Sequence, residues 1–266
     1  MLLSPIVRKS LLDRWKSLLA WCLGIVALVS VQMSVYPTVR DTSADWEGVT
    51  ESFPEAFQEI FRMEDYTSPA GYLSTELLSF VVPFIFMTLG ATWGARVTSE
   101  EEESGTADIL FSLPITRRDY LSTRWIVGAL VLLAVSAVFG ISLIVGATIL
   151  DMGIGFGHFA NASLMLFLTG LSSHSLAAVV GTSTGKRSIG LGSTMAILIA
   201  GFVLYSLAPL VDVFDAINPF NPLQWMLGTR PLTTGVDLDD VSLLLLIPLA
   251  SYIGSLRSFQ HRDVRV

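Results

Sequence analysis

The sequence predicts an all-α polytopic membrane protein with six transmembrane helices, and three observations carry that prediction. Of its 266 residues, 52% are hydrophobic and only 15% are charged, and the mean hydropathy is +0.63, well outside the range of soluble chains. Six charge-free apolar runs lie at about 17–39, 77–95, 125–150, 159–181, 188–211 and 241–256, and a helix needs about 20 residues to cross roughly 30 Å of hydrocarbon. Threading the chain through these runs leaves every basic residue on one side except Arg40, Arg62 and Arg230. Such a bias sets orientation, so both termini are expected in the cytoplasm, with the protein in the plasma membrane.

In chain order, Ser4 and Pro5 read as N-cap and first helical residue. Val7, Leu11, Leu12 and Trp15 then share one face, with Arg8, Lys9, Asp13 and Lys16 on the other, so an interfacial helix precedes the first span. Cys22, the single cysteine, lies in that span as a packing residue. Residues 40–76 form an acidic outer loop in which Phe53, Phe57, Ile60 and Phe61 recur at helical spacing. After span 5, Asn221 and Pro222 again give N-cap and N1 signals, and Gly228 closes a short outer helix. The last run is short and needs Asp240 or Arg257 to reach the interface. The whole chain, 1–266, reads as one domain, and no nucleic-acid partner is expected.

The polar segment between spans 2 and 3 has its own pattern. Glu100, Glu101, Glu102 and Glu103 lead into Ser104, Gly105 and Thr106, where Thr106 can cap a short helix over Ala107–Leu113 that Pro114 stops. Ile109, Leu110 and Leu113 fall on one face of it, with Asp108 and Ser112 turned away. An apolar face on so short a polar loop suggests a surface meant to be covered. Thr116 stands three residues before Asp119, a capping pattern that starts span 3 inside the loop.

Catalytic chemistry is not apparent. No Asp, Glu, Lys or Arg falls inside the charge-free runs, where burying one is costly unless it is used. His158, His174 and His261 belong to no metal-ligating arrangement, and no metal site is expected. Gly181 to Ser188 resembles a phosphate-binding loop but has three residues between its glycines, and Arg187 follows Lys186 where Ser or Thr is required. It reads instead as small residues allowing close helix contact, followed by a turn. Polar groups within the spans default to helix–helix hydrogen bonds; Gln32, Phe80, Phe84 and Thr88 are the candidate substrate-path residues. Spans this apolar suit a hydrophobic or amphipathic substrate.

From Glu101 to Arg117 the sequence resembles the ABC-2 type permeases of ABC exporters, whose loop between spans 2 and 3 has an acidic cluster, Gly-Thr, an acid, a leucine pair, Ser-x-Pro and a basic residue. Phe111 stands where a second leucine is commoner. The resemblance implies a permease, usually dimeric with itself or a sister subunit, paired with a separate cytoplasmic ATPase that carries ATP and Mg. It also implies that Ala107–Leu113 is the coupling helix. The ATPase-coupling set is then Glu101, Glu102, Glu103, Gly105, Thr106, Asp108, Ile109, Leu110, Leu113 and Pro114, with the apolar face in an ATPase groove and the acids against basic residues there. Two alternatives remain: an ABC-2-like permease that supports maturation of an extracytoplasmic metalloenzyme, and an intramembrane enzyme using His174.

Overall fold

The computed structural model describes residues 3–262 except 44–45, 47, 50–51, 55–57, 59–64, 108–109, 111 and 113, with side chains from residue 7 onward. Most of the predicted outer-loop helix, including Phe57, Ile60 and Phe61, lies outside the described residues. Among those described the fold is helical, and six helices are long and apolar enough to cross a membrane: Trp15–Asp41, Pro69–Gly94, Arg117–Ile149, Phe156–Thr184, Arg187–Leu210 and Leu238–His261. With six spans both termini lie at one end of the bundle, called here the terminal face; the opposite end is the distal face.

Local signals explain the helix ends. The leading helix Leu3–Leu12 breaks at a turn over 13–14 before span 1 starts at Trp15, so it is a separate element. Leu12 and Trp15 stay largely exposed, as an interfacial helix requires. Thr116 caps span 3 by accepting from Asp119 N–H at 3.1 Å, which carries the helix eight residues before the charge-free run begins. Asn221 caps Pro222–Leu227 through Leu223 N–H at 3.1 Å. A further distal helix, Asp212–Ile217, carries no cap signal and was not expected.

Spans 2 and 6 also extend past the acids that bound their apolar runs. Span 6 is a 24-residue helix capped by Asp237, whose carboxylate accepts from Asp239 N–H at 2.9 Å. Asp239 and Asp240 sit in its first turn, where the helix dipole favours anions, so the charges that seemed to end the run are its N-terminus. Span 2 begins at Pro69 behind the Ser68 cap, whose Oγ accepts from Gly71 N–H at 3.0 Å. Glu76 therefore lies inside a span and not at the end of the outer loop, which corrects the expectation that no acid enters one. It occupies a π-helical turn, Ser74–Leu78, and the helix is interrupted at Ser79–Phe80 before resuming at Val81. Pro83, which cannot donate to the Ser79 carbonyl, accounts for the break.

Span 4 is the centre of the bundle and packs against spans 2, 3, 5 and 6. Between helices in lipid, apolar burial gives no net drive, and close backbone approach and hydrogen bonds do the holding. Accordingly Ser172, Ser173, His174 and Ser175 are fully buried, and a Cβ added at Gly90 or Gly94 of span 2 would overlap the Gly170 or His174 backbone. Most buried hydroxyls are satisfied within their own helix, as with Ser175 donating to Leu171 O at 2.8 Å. Ser172 does more: it donates at 3.4 Å to the Leu244 carbonyl, which Pro248 of span 6 leaves without its usual partner. Gly181 packs on Gly190 as expected, whereas Gly185 ends span 4 in the left-handed conformation, φ 68°. His174 donates from Nε2 to Trp125 O at 3.1 Å and is walled in by Gly128, a packing histidine with no room for a substrate.

Candidate coupling site and substrate face

The acidic run is itself a helix, Ser99–Glu103, and not merely a leader to one. It follows the end of span 2 directly and is fastened to span 4: Ser99 Oγ donates to Gly181 O at 3.0 Å, and Thr98 and Thr182 share a hydrogen bond at 3.1 Å. Its carboxylates then reach four other elements. Glu100 pairs with Arg14, at the start of span 1, and with Arg124 of span 3. Glu101 lies 3.7 Å from Arg124, Glu102 pairs with Arg262 at the end of span 6, and Glu103 accepts from Arg187 N–H of span 5 at 2.7 Å.

Arg124 is the hub of this collar. Its side chain is 11% exposed, and beyond the two glutamates it donates to Arg96 O at 3.1 Å and to Ser10 Oγ of the leading helix at 2.8 Å. Arg117 fastens the other edge by donating to the carbonyls of Phe259 at 3.0 Å and Arg262 at 2.7 Å. Burial alone would push the Glu100 carboxyl up, but the Arg124 and Arg14 guanidiniums outweigh it and hold that group below the usual carboxylate range.

The predicted coupling residues thus divide. Glu101 and Glu102 turn inward, with side chains 19% and 4% exposed, and are engaged by the chain's own arginines. Glu103, Gly105 and Thr106 are exposed, as is Pro114. Gly105 adopts φ 66° with open space around it, so glycine is needed there for the backbone conformation and not for room. The chain turns helical at Thr106, whose carbonyl accepts from Leu110 N–H at 3.1 Å, as the sequence suggested. Leu110, however, does not point outward: it packs on the cluster of Val97, Tyr120, Leu121, Ala178 and Phe259. Asp108, Ile109 and Leu113 lie outside the described residues. The partners of the acids were illegible in the sequence because they sit 23 to 160 positions away.

Of the path residues, Phe80 and Phe84 stack at 4.4 Å between ring centroids, and both meet Phe202 of span 5, at 5.2 and 5.1 Å. Tyr205 extends the row. Thr88 is exposed four residues further along. Gln32 is not in this aromatic group; its amide donates to Glu76 Oε2 at 3.2 Å. Tyr66 OH donates to Glu76 Oε1 at 2.8 Å, and Tyr72 OH lies 3.1 Å from Gln32 O and 3.2 Å from its Oε1. Sequence reasoning missed Glu76, Phe202 and Tyr205; four-residue spacing from Phe80 was the one available hint for Glu76. Among the described residues no three His, Cys, Asp or Glu side chains come together to hold a metal ion.

Six spans, a leading interfacial helix and a fastened acidic loop between spans 2 and 3 define a transporter-type membrane domain. The sequence profile of the ABC-2 family transporter proteins matches residues 4–264, and the chain belongs to that family. It is therefore a multi-pass membrane permease of an ABC transporter. No curated protein matches the chain.

Proposed function

We propose that this chain is the permease subunit of an ATP-driven exporter for a hydrophobic or amphipathic substrate, with its terminal face in the cytoplasm and the plasma membrane as its site of action. ATP, with Mg, is hydrolysed by a separate ATPase that docks on the exposed edge of the loop between spans 2 and 3, from Glu103 through Thr106 to Pro114. The permease works as a dimer, with itself or a sister subunit, and the substrate passes along the face of span 2 that carries Phe80, Phe84 and Thr88.

The observation that carries this reading is the collar. One short acidic helix is bonded to spans 1, 3, 4, 5 and 6 at once, so a displacement of the loop is delivered to the bundle as rigid-body motion. Glu101, Glu102 and Leu110 serve that transmission from within, and the exposed residues make the ATPase contact. A photocrosslinking amino acid at Ser104 or Thr106 is expected to capture an ATP-hydrolysing subunit in membranes of the native host, and one at Val213 on the distal face is not. Capture from Val213 alone, or from none of the three, contradicts the proposal.

A further inference from the structure

Glu76 differs from the acids of the collar, each of which is engaged by an arginine. It lies within span 2, about 10 Å along the helix from Pro69 at 1.5 Å per residue, and it is half-buried. Its partners among the described residues, Gln32 and Tyr66, are both neutral donors. None of the ion pairs among the described residues includes it; at the distal end of span 1, Arg40 pairs with Asp41 at 3.2 Å instead. A carboxylate has about four acceptor positions, and two are taken here. An ionised side chain without a counter-charge is expensive at membrane depth and marks a site that uses the charge. The π-helical turn that carries Glu76 is a feature common at functional positions.

Beyond Glu76, span 2 turns aromatic. Phe80, 40% exposed, lies four residues further along the span, at its interruption, and with Phe84 and Phe202 it forms a wall of rings at 4.4 to 5.2 Å spacing. No basic residue lies in span 2 between Pro69 and Gly94. An anionic group would be repelled here, while a positive one meets a carboxylate and ring faces, the combination that favours organic ammonium groups.

We propose that Glu76, with Phe80, Phe84 and Phe202, forms the binding site for an amphipathic organic cation: the carboxylate supplies the counter-charge for the head and the rings take the hydrophobic part. Gln32 and Tyr66 are positioning residues that fix the carboxylate through one hydrogen bond to each oxygen. The assignment rests on the reading of span 2 as the substrate path and narrows its cargo to cations.

Tetraphenylphosphonium and tetraphenylborate have one shape and opposite charge, and their binding to the full chain in lipid nanodiscs tests this directly. After subtraction of each ion's partition into protein-free nanodiscs, the wild type is expected to bind the cation roughly tenfold more tightly than the anion. Glu76→Gln, which keeps a hydrogen-bonding side chain of the same shape, should abolish that preference, Glu76→Asp should retain it, and Phe80→Ala should weaken both ions. Equal wild-type affinities, or a preference that survives Glu76→Gln, overturn the proposal. If Phe80→Ala still weakens both ions in that case, the span 2 path stands without the charge selection. If neither ion binds, the path reading and the cation site fail together. The wild-type comparison decides the matter whether or not a given variant inserts.

Discussion

Two polar clusters in this bundle hold carboxylates in opposite ways. On the terminal face, Glu100 and Glu102 are matched by guanidiniums, and Arg124 is shared between Glu100 and Glu101. Toward the distal face, the partners of Glu76 among the described residues are an amide and a phenol. The first arrangement neutralises its charge inside the molecule, as the proposed mechanical joint requires. The second has no cation among the described residues, which is what the proposed binding group needs. Position in the sequence conceals this: the acids of the loop appeared to be offered outward, and Glu76 appeared to belong to solvent.

The largest expected effect comes from removing the hub of the joint. Arg124→Ala leaves Glu100 and Glu101 half-buried with a partner missing, and breaking such a pair costs about 3–5 kcal/mol. A large drop in thermal unfolding temperature in detergent is the expected readout, and an unchanged midpoint would show the collar to be ornamental. Next, Tyr66→Phe removes one hydrogen bond to a charged acceptor on the distal side, a loss of about 1.5–3 kcal/mol at most. It should cost less stability than Arg124→Ala while shifting cation binding, and the reverse order would erase the distinction between the clusters. Gly105→Ala places a side chain at φ 66° in open space, so only backbone strain of about 1–2 kcal/mol is expected. Its effect should be local, visible as faster amide exchange around 104–107 with spans 2 and 3 unaffected.

The smallest effect is one of pH. The folded Glu100 carboxyl titrates below its unfolded value, for which 4.5 is the reference. Its contribution is thus complete above that value and is lost as pH falls through the depressed folded value. Acid unfolding of the wild type should therefore extend lower in pH than that of Arg14→Gln, in which one of the two cations holding the carboxylate is gone. Coincident acid transitions would remove Arg14 from the joint.

Much of the architecture was legible in the residues. The six spans, the Thr116 and Asn221 caps and the separate leading helix all arise from local pattern, because charge-free length and capping side chains act within a few residues of where they stand. Span limits were less legible, since a charge ends an apolar run but not a helix whose dipole or neighbours accept it. That is why span 6 begins at Leu238 and span 2 includes Glu76. The sites were least legible. Glu102 finds Arg262 across 160 positions, and Leu110 turns toward Phe259, pairings that only the packing of spans 3, 4 and 6 creates. Periodicity within a seven-residue helix gives a face but not the direction it points.

The most direct test of the joint is charge reversal across the Glu102 and Arg262 pair, read as the ATP hydrolysis rate of the partner ATPase with the permease bound relative to the ATPase alone. Glu102→Arg and Arg262→Glu should each abolish the permease-dependent change in rate, and the double reversal should restore it, because Arg117 still grips the span 6 carbonyls and keeps the helix end in place. Single reversals that leave the rate as in the wild type, or a double reversal that stays uncoupled, would contradict a collar that carries force from the ATPase into the membrane.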